Sequence, residues 1–160
     1  ARRPNSQLMI VQIFNIQRGV ASSTALINKG LRDGVNKSIP LIATGNILVG
    51  TIDQVFENSA SVLLIDDPRI KISGRIQESR TLVDTKGQLQ NQLGLDLVAA
   101  GDEINEGDTI VTSGLDGLPE SLLVAKVTQI ETPSGALFKT VTARSLFDPS
   151  LGSSLFVILK

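Results

Sequence analysis

The segment that decides the fold is Gly107–Glu131, with the sequence GDTIVTSGLDGLPESLLVAKVTQIE. It contains two predicted strands, Thr109–Thr112 and Leu122–Ile130. Residues in the second strand alternate with a period of two, which is typical of a sheet with one buried face. Nothing in this segment has the pattern of a reaction centre.

The two strands are joined by a corner rich in conformationally special residues. Gly114 and Gly117 can adopt positive φ, whereas Pro119 fixes its own φ and donates no backbone hydrogen bond. The chain is therefore expected to reverse sharply here, as the strands of a barrel or a sandwich must.

Extended segments separated by turn residues recur along the whole chain. The other predicted strands are Gln7–Ile16, Val20–Ile27, Pro40–Ala43, Ile47–Phe56, Ser61–Ile65, Ile70–Gln77, Arg80–Asp84, Leu89–Leu93, Leu95–Ala99, Leu137–Leu146 and Leu155–Leu159. Gln7–Ile16 is apolar on both faces, which indicates a central strand, and Leu95–Ala99 fits either a strand or one helical turn. About a dozen short strands without a long helix predict an all-β fold of antiparallel sheets. That number exceeds one small barrel, so we expect two linked barrels, or a barrel and a sandwich.

The composition excludes several classes of function. The 160 residues include no His and no Cys, which rules out Ser-His-Asp and Cys-His catalysis and thiolate metal sites. The net charge is −1 and only 3% of residues are aromatic. A nucleic-acid-binding protein normally combines a basic surface with aromatic stacking residues, so neither feature favours that class.

The ends of the sequence predict that it is part of a longer protein. No apolar run reaches the ~18–20 residues that span a bilayer. The chain opens with Ala1-Arg2-Arg3-Pro4, without an initiator Met or a signal-peptide core. We therefore expect an excised fragment from which a signal or membrane anchor has been left out.

Two groups of motifs resemble the extracytoplasmic domain of the rod shape-determining protein MreC family. The first group is Ile27–Val35 (INKGLRDGV), Ile39–Ile42, Ile47–Ile52 with Val55, and Ser61–Pro68 (SVLLIDDP); the second is Gly107–Leu115, Leu118-Pro119 and Leu122–Val124. The resemblance covers about Leu26–Leu159. The family usually has glycine where this chain has Ser38, Ser121 and Ala125, and phenylalanine at Leu118. Ser79–Gly101 matches little, and Ala1–Ala25 matches poorly.

The resemblance implies two small antiparallel β-barrels, one with a trypsin-like topology but no catalytic residues. The two subdomains are expected at about 26–77, with parts of the termini, and at about 78–160. It also implies a non-enzymatic scaffold for peptidoglycan elongation outside the cytoplasmic membrane, with an upstream coiled coil and a single membrane anchor. Its implied partners are MreD, the elongation transpeptidase and glycosyltransferase, and further copies of itself.

Each candidate catalytic or metal site has a simpler structural interpretation. Asp66-Asp67 could bind a cation, but Asp-Pro at a strand end normally starts a turn. Asp84-Thr85-Lys86-Gly87 approaches an aspartic-protease motif, but the inserted Lys spoils it. Ser113 with Lys126 could form a nucleophile pair, although a Ser at a corner is ordinarily a turn former. The sequence therefore predicts no catalytic, metal or cofactor residues.

Two other groups of residues are candidates for binding partners. The basic groupings Lys29 with Arg32, and Arg69 with Lys71 and Arg75, are interpreted as solvated strand faces rather than a nucleic-acid patch. The candidate surface anchors are Phe14, Phe56, Phe138 and Phe147, although burial statistics favour the core for each.

Three functions remain open at this point. The first is a scaffold that presents barrel surfaces to partners. The second is a β-barrel binding module for an unrelated ligand or nucleic acid. The third is an enzyme that uses only carboxylates, Ser or Lys, for which no activity is expected.

Overall fold

A computed structural model describes residues 7–149 and 154–159. These residues form thirteen β-strands, and Leu31–Asp33 forms a 3₁₀ turn. The strands are β1 Gln7–Val11, β2 Ile13–Arg18, β3 Ser23–Ile27, β4 Pro40–Ala43, β5 Ile47–Val55, β6 Ala60–Leu64, β7 Lys71–Ile76, β8 Leu82–Gly87, β9 Gln92–Ala99, β10 Thr109–Thr112, β11 Leu123–Glu131, β12 Phe138–Ser145 and β13 Leu155–Leu159. The prediction of an all-β chain is confirmed.

The first barrel closes because β1 and β2 act as one long strand interrupted only at Gln12. β1 pairs with β13, and β2 pairs with β3. The ring continues from β13 through β4, β5 and β6 to β3, with every neighbour antiparallel. Its interior is filled by aliphatic side chains, among them Ile27, Leu41, Ile52, Val62 and Val157. Closure leaves no strand edge unpaired.

The second barrel is a ring of six antiparallel strands. β7 pairs with β8, β8 with β9, β9 with β12, β12 with β11, β11 with β10, and β10 with β7. Ile110, on the first strand of the segment that decides the fold, is fully buried inside this ring. The prediction of two small barrels is therefore confirmed.

The two barrels pack against each other along β4, β5, β11 and β13. One parallel pairing, Leu123 with Ile47, joins β11 to β5. Ile42, Leu48 and Ile158 belong to strands of the first barrel, yet they lie in the hydrophobic cluster of the second. Val124 and Ala125 are neighbours on β11 and are both fully buried. A strand of a solvated barrel buries only alternate residues, so this start of β11 is covered by protein on both faces.

The strand pairing is relevant to the position of the boundary between the two subdomains. β7 hydrogen-bonds only within the second ring, although the sequence predicted a boundary near residue 77, after this strand. The C-terminal strand β13 returns to the first ring. We propose that the two rings are the two subdomains and that the chain passes between them at Asp66–Ile70.

The corner between β10 and β11 has the predicted conformation. Gly114 and Gly117 have φ of 83° and 91°. The buried hydroxyl of Thr112 donates to the carbonyl oxygen of Pro119 at 2.6 Å and accepts from the amide of Leu122 at 2.8 Å. The last residue of β10 thus closes the corner with its side chain.

Two of the three departures from the family's glycines fall at left-handed positions. Ser38 and Ser121 have φ of 72° and 68°, values that L-residues adopt at a cost. Glycine at these positions in the family is therefore explained by backbone conformation. Ala125 is instead completely buried in the second core.

Several expected strand details were wrong. Gln7–Ile16 is not a central strand with two buried faces, because the closed barrel exposes its outer face: Ile10 is 62% and Phe14 is 59% exposed. The predicted strand Arg80–Asp84 is in fact β8 and extends to Gly87, and the predicted strands Leu89–Leu93 and Leu95–Ala99 are replaced by the single strand β9. The regular alternation predicted for β11 is broken by a β-bulge between Val127 and Gln129.

The predicted polar loop from Phe147 to Ser154 lies partly outside the described residues, as do Ala1 and the rest of the N-terminal hexapeptide. Within the described part of the chain, no helix has the length and apolar character needed to cross a membrane.

Candidate interaction surfaces and the junction between the barrels

Asp67 is the central polar residue of the junction between the barrels. Its side chain is fully buried and accepts a 2.8 Å hydrogen bond from the amide of Ser23, the first residue of β3. It also accepts from the amide of Arg69 at 2.8 Å and from the guanidinium at 2.9 and 3.0 Å. The turn that follows β6 is thus hydrogen-bonded to β3 of the first barrel through the carboxylate of Asp67.

Asp66 fastens the same turn to the second barrel. Its carboxylate Oδ2 accepts from the amide of Asn91 at 2.8 Å, and its carbonyl oxygen accepts from the amide of Leu89 at 2.8 Å. The turn between β8 and β9 contains Leu89, Gln90 and Asn91, and each of these residues has positive φ. Three consecutive left-handed residues are costly, so the bonds to Asp66 hold a conformation that this segment would not adopt alone.

The charge state of Asp67 follows from its partners. Burial acts to raise the pKa of this carboxyl. The hydrogen bonds from the Arg69 side chain and from the amides of Ser23 and Arg69 outweigh burial, so the pKa lies below its usual value. Asp67 is therefore ionised at neutral pH, and the exposed guanidinium of Arg69 neutralises it at 2.9 Å.

Beside this junction lies a cavity of about 570 Å³, lined by Arg18, Gly19, Val20, Ser22, Ser23, Asp66, Leu89 and Gln90. Ser23 Oγ and Asp66 Oδ1 are the buried side-chain polar atoms without a hydrogen-bond partner among residues 7–149 and 154–159. No group of three carboxylates that could hold a metal ion occurs in this described part. Asp66-Asp67 is thus the predicted turn, and it also joins the barrels.

The two other candidate catalytic groups take part in ordinary strand and corner structure. Asp84 is exposed on β8, directly opposite Asp96 of β9. Ser113 Oγ lies 2.8 Å from Ser73 Oγ and accepts from the amide of Leu115 at 3.1 Å. Lys126 pairs across the sheet with Thr109, four residues before Ser113. The structure therefore does not bring Ser113 and Lys126 together.

The basic residues do not combine into one patch. Arg69 is bonded to Asp67, and Arg75 lies 3.6 Å from Glu120. Lys71 is exposed opposite Lys86. Arg32 lies instead in the 3₁₀ turn of the first barrel, and Lys29 lies two residues before that turn. This arrangement lacks the continuous basic face that a phosphate backbone requires.

The expectation that all four phenylalanines lie in the core was wrong for three of them. Phe14, Phe56 and Phe138 are 59%, 47% and 48% exposed, whereas Phe147 is buried. Closed small barrels explain this outcome, because their interiors are filled by branched aliphatics and aromatic side chains are left on the outer surfaces. The exposed phenylalanines lie on β2, after β5 and at the start of β12, so they belong to separate surfaces.

Sequence reasoning missed the partners of the junction. Ser23 and Asn91 are ordinary polar residues in the sequence, and their roles depend on amides brought together from distant strands. The Asp-Asp-Pro motif was the available signal, since two acidic residues at a strand end can accept bonds from two sides.

The model of the family "Rod shape-determining protein MreC, barrel core" matches residues 13–159. The cell shape-determining protein MreC of Haemophilus influenzae is 30% identical over 146 residues, which are 90% of this chain and 41% of that protein. The MreC of Escherichia coli is 28% identical over 144 residues, or 89% of this chain and 39% of that protein. The chain thus spans about two fifths of the length of these relatives.

Solved structures show the same fold. The crystal structure of MreC from Pseudomonas aeruginosa superimposes with a TM-score of 0.88 at 25% identity, covering 94% of this chain and 98% of that one. A complex between penicillin-binding protein PBP2 and MreC from Helicobacter pylori contains a chain that matches with a TM-score of 0.74 at 20% identity, covering 96% of this chain and 98% of that chain.

Proposed function

Because the chain belongs to the MreC family of rod shape-determining proteins, we propose that it is the barrel domain of a non-enzymatic scaffold for peptidoglycan elongation in a rod-shaped bacterium. Such a scaffold acts by holding partners together rather than by turning over a substrate. The family match over residues 13–159 is the observation that carries this proposal.

The chemistry of the two barrels supports a role without catalysis. The hydroxyl of Ser113 is hydrogen-bonded to Ser73 and accepts from the amide of Leu115. Asp67 is tied to Ser23 and Arg69, so its carboxylate already has a structural role. Apolar side chains, by contrast, are exposed on several barrel faces, and apolar side chains on a surface provide binding energy for protein partners.

The partners and the location proposed for the domain are those expected for a member of this family. We propose that the domain lies on the extracytoplasmic side of the cytoplasmic membrane and that an upstream anchor and coiled coil hold it there. The Helicobacter pylori complex pairs an MreC with PBP2, which supports the elongation transpeptidase as a direct partner. MreD, the elongation glycosyltransferase and a second copy of the chain complete the proposed assembly.

Restoration of cell shape tests the scaffold proposal and its non-catalytic character together. In a strain lacking its own MreC, the full-length protein should return round cells to rods, measured as the ratio of cell length to width. Ser113→Ala should restore rods to the same ratio, because the bonds of its hydroxyl to Ser73 and to the amide of Leu115 have only a structural role. Round cells with the stably produced wild-type protein, or loss of rescue by a stable Ser113→Ala protein, would contradict the proposal.

A further inference from the structure

A β-bulge in the second barrel directs an apolar side chain into solvent. Val98 of β9 pairs with Lys139 of β12, and Leu95 of β9 pairs with Val141 of β12. The two residues of β9 between these pairs, Asp96 and Leu97, therefore face a single residue of β12. Leu97 has φ of 53° and its side chain is 78% exposed. Bulges commonly redirect a side chain away from the regular pleat. Leucine rarely adopts this conformation, and here the exposed side chain gains no core contact in return.

Other apolar side chains lie next to Leu97 on the outer face of the barrel. Phe138 pairs with Ala99, two residues beyond Leu97, and is 48% exposed. Leu82, on the adjoining strand β8, is 59% exposed. It lies two residues before Asp84 and therefore on the same face as that aspartate. Large exposed side chains thus occur on three neighbouring strands, β8, β9 and β12.

Three carboxylates on the same face, those of Asp84, Asp96 and Glu131, have no ion-pair partner in the described part of the chain. Asp84 and Asp96 lie directly opposite each other across β8 and β9, an arrangement that costs stability because like charges repel. Glu131 is exposed on β11, opposite Thr140. No cation among residues 7–149 and 154–159 lies within ion-pair distance of these three carboxylates. Lys86, the next outward residue of β8, lies on the side of Asp84 away from Leu82.

We propose that this acidic–apolar face is a docking surface for a basic, apolar segment of a protein partner. The face consists of Leu82, Asp84, Asp96, Leu97, Glu131 and Phe138. Its apolar side chains would be buried by the partner's apolar residues, and lysines or arginines of the partner would neutralise the carboxylates. The three unpaired carboxylates favour a basic partner over an acidic one. This inference deepens the proposed function, and it rests on that function for the identity of the natural partner.

Two synthetic peptides of the same length and pattern test the docking surface, one of leucine and lysine and the other of leucine and glutamate. Titrated into the chain, the lysine peptide should bind with a dissociation constant of roughly 10–100 μM and shift amide resonances of β8, β9 and β12 in NMR spectra. Binding should weaken as salt is raised. The glutamate peptide should bind at least about tenfold more weakly, because like charges at an interface oppose association.

Variants locate the binding on this face. Leu97→Asp and Phe138→Asp should each weaken binding of the lysine peptide about tenfold or more, as expected for apolar anchors of an interface. Asp84→Asn with Asp96→Asn should reduce the salt dependence of binding. Leu115→Asp is the matched control, because Leu115 is 73% exposed on the corner between β10 and β11, away from β9. It should change binding less than about twofold.

A second measurement separates binding from folding. Leu97→Gly introduces a residue that tolerates positive φ, so it should raise the melting temperature while removing the contribution of the Leu97 side chain to binding. Equal binding of both peptides, or equal losses in Leu97→Asp and Leu115→Asp, would overturn the proposal. If the lysine peptide binds this face but the transpeptidase does not bind the chain, the docking surface stands and its assigned partner fails.

Discussion

Among substitutions that add one methyl group at the junction between the barrels, Gly87→Ala is expected to destabilise the chain most. Gly87 ends β8 against the turn that joins the two barrels. A Cβ atom there would lie 2.2 Å from the carbonyl oxygen of Asp67 and 2.5 Å from the carbonyl carbon of Asp66. Both are backbone atoms of a turn fixed by hydrogen bonds, so neither can move aside cheaply. We expect a loss of about 4 kcal/mol or more in the free energy of unfolding.

Urea unfolding followed by circular dichroism measures this loss. Gly101→Ala is the matched control, because Gly101 is exposed and a Cβ atom there would meet nothing within 4 Å. That control should change the free energy of unfolding by no more than about 0.5 kcal/mol. A Gly87→Ala protein as stable as Gly101→Ala would show that β8 does not pack on the junction as described.

The second large effect is expected at Asp67. In Asp67→Asn, one acceptor oxygen becomes an amide that donates, so it faces donors from Ser23 or Arg69 instead of accepting from them. These bonds to a buried charge are lost or weakened together. We expect the free energy of unfolding at pH 7 to fall by about 2–3 kcal/mol, since hydrogen bonds to charged groups contribute more than neutral ones.

The same substitution should change how stability depends on pH. The pKa of Asp67 is lowered in the folded chain, against an ordinary value of 3.8. Its stabilisation is therefore fully present above pH 3.8 and is lost as pH falls through the lower, folded-state pKa. The difference in stability between the wild type and Asp67→Asn should be constant near neutral pH and close as the solution is acidified below pH 3.8.

Equilibrium unfolding of the wild type and of Asp67→Asn, at a series of pH values from neutral to acid, tests this pH dependence of stability. Glu103→Gln, which removes an exposed carboxylate, is the matched control and should change the free energy of unfolding at pH 7 by no more than about 0.5 kcal/mol. A gap between wild type and Asp67→Asn that stays the same down to the most acidic pH would mean that Asp67 is not held ionised by its partners.

Much of the barrel architecture could be predicted because it depends on local features. Thr109–Thr112, Pro40–Ala43 and Leu155–Leu159 were predicted with the bounds that the structure has. Each is a short run of β-formers bounded by turn residues, so its identity is local. The corner glycines Gly114 and Gly117 were predictable for the same reason, since positive φ in a tight turn is a local requirement.

The features that the sequence did not reveal depend on contacts between distant residues. Val124 is buried on the outer side of β11 only because the first barrel covers it, and no periodicity within β11 encodes that contact. Glycine in a turn usually suggests positive φ, but the φ of Gly30 is −147°. It is required instead because a Cβ atom would lie 2.3 Å from the carbonyl oxygen of Phe56, which is distant in sequence.

The candidate interaction surfaces were hidden for a related reason. Burial statistics favour the core for a phenylalanine, but they take no account of the fold. A small closed barrel has little interior space for aromatic rings. Leu97 was missed because leucine carries no preference for positive φ. The bulge that exposes it arises from the pairing of β9 with β12, at a separation of about forty residues in the chain.

Calorimetric titration of the chain with the extracytoplasmic part of the elongation transpeptidase from the same organism tests most directly whether this domain acts as a scaffold. The proposal predicts saturable binding with a dissociation constant of about 100 μM or tighter, weakened by Leu97→Asp and left unchanged by Ser113→Ala. No binding heat at concentrations about tenfold above that value, with both proteins folded, would contradict the scaffold function proposed for the two barrels.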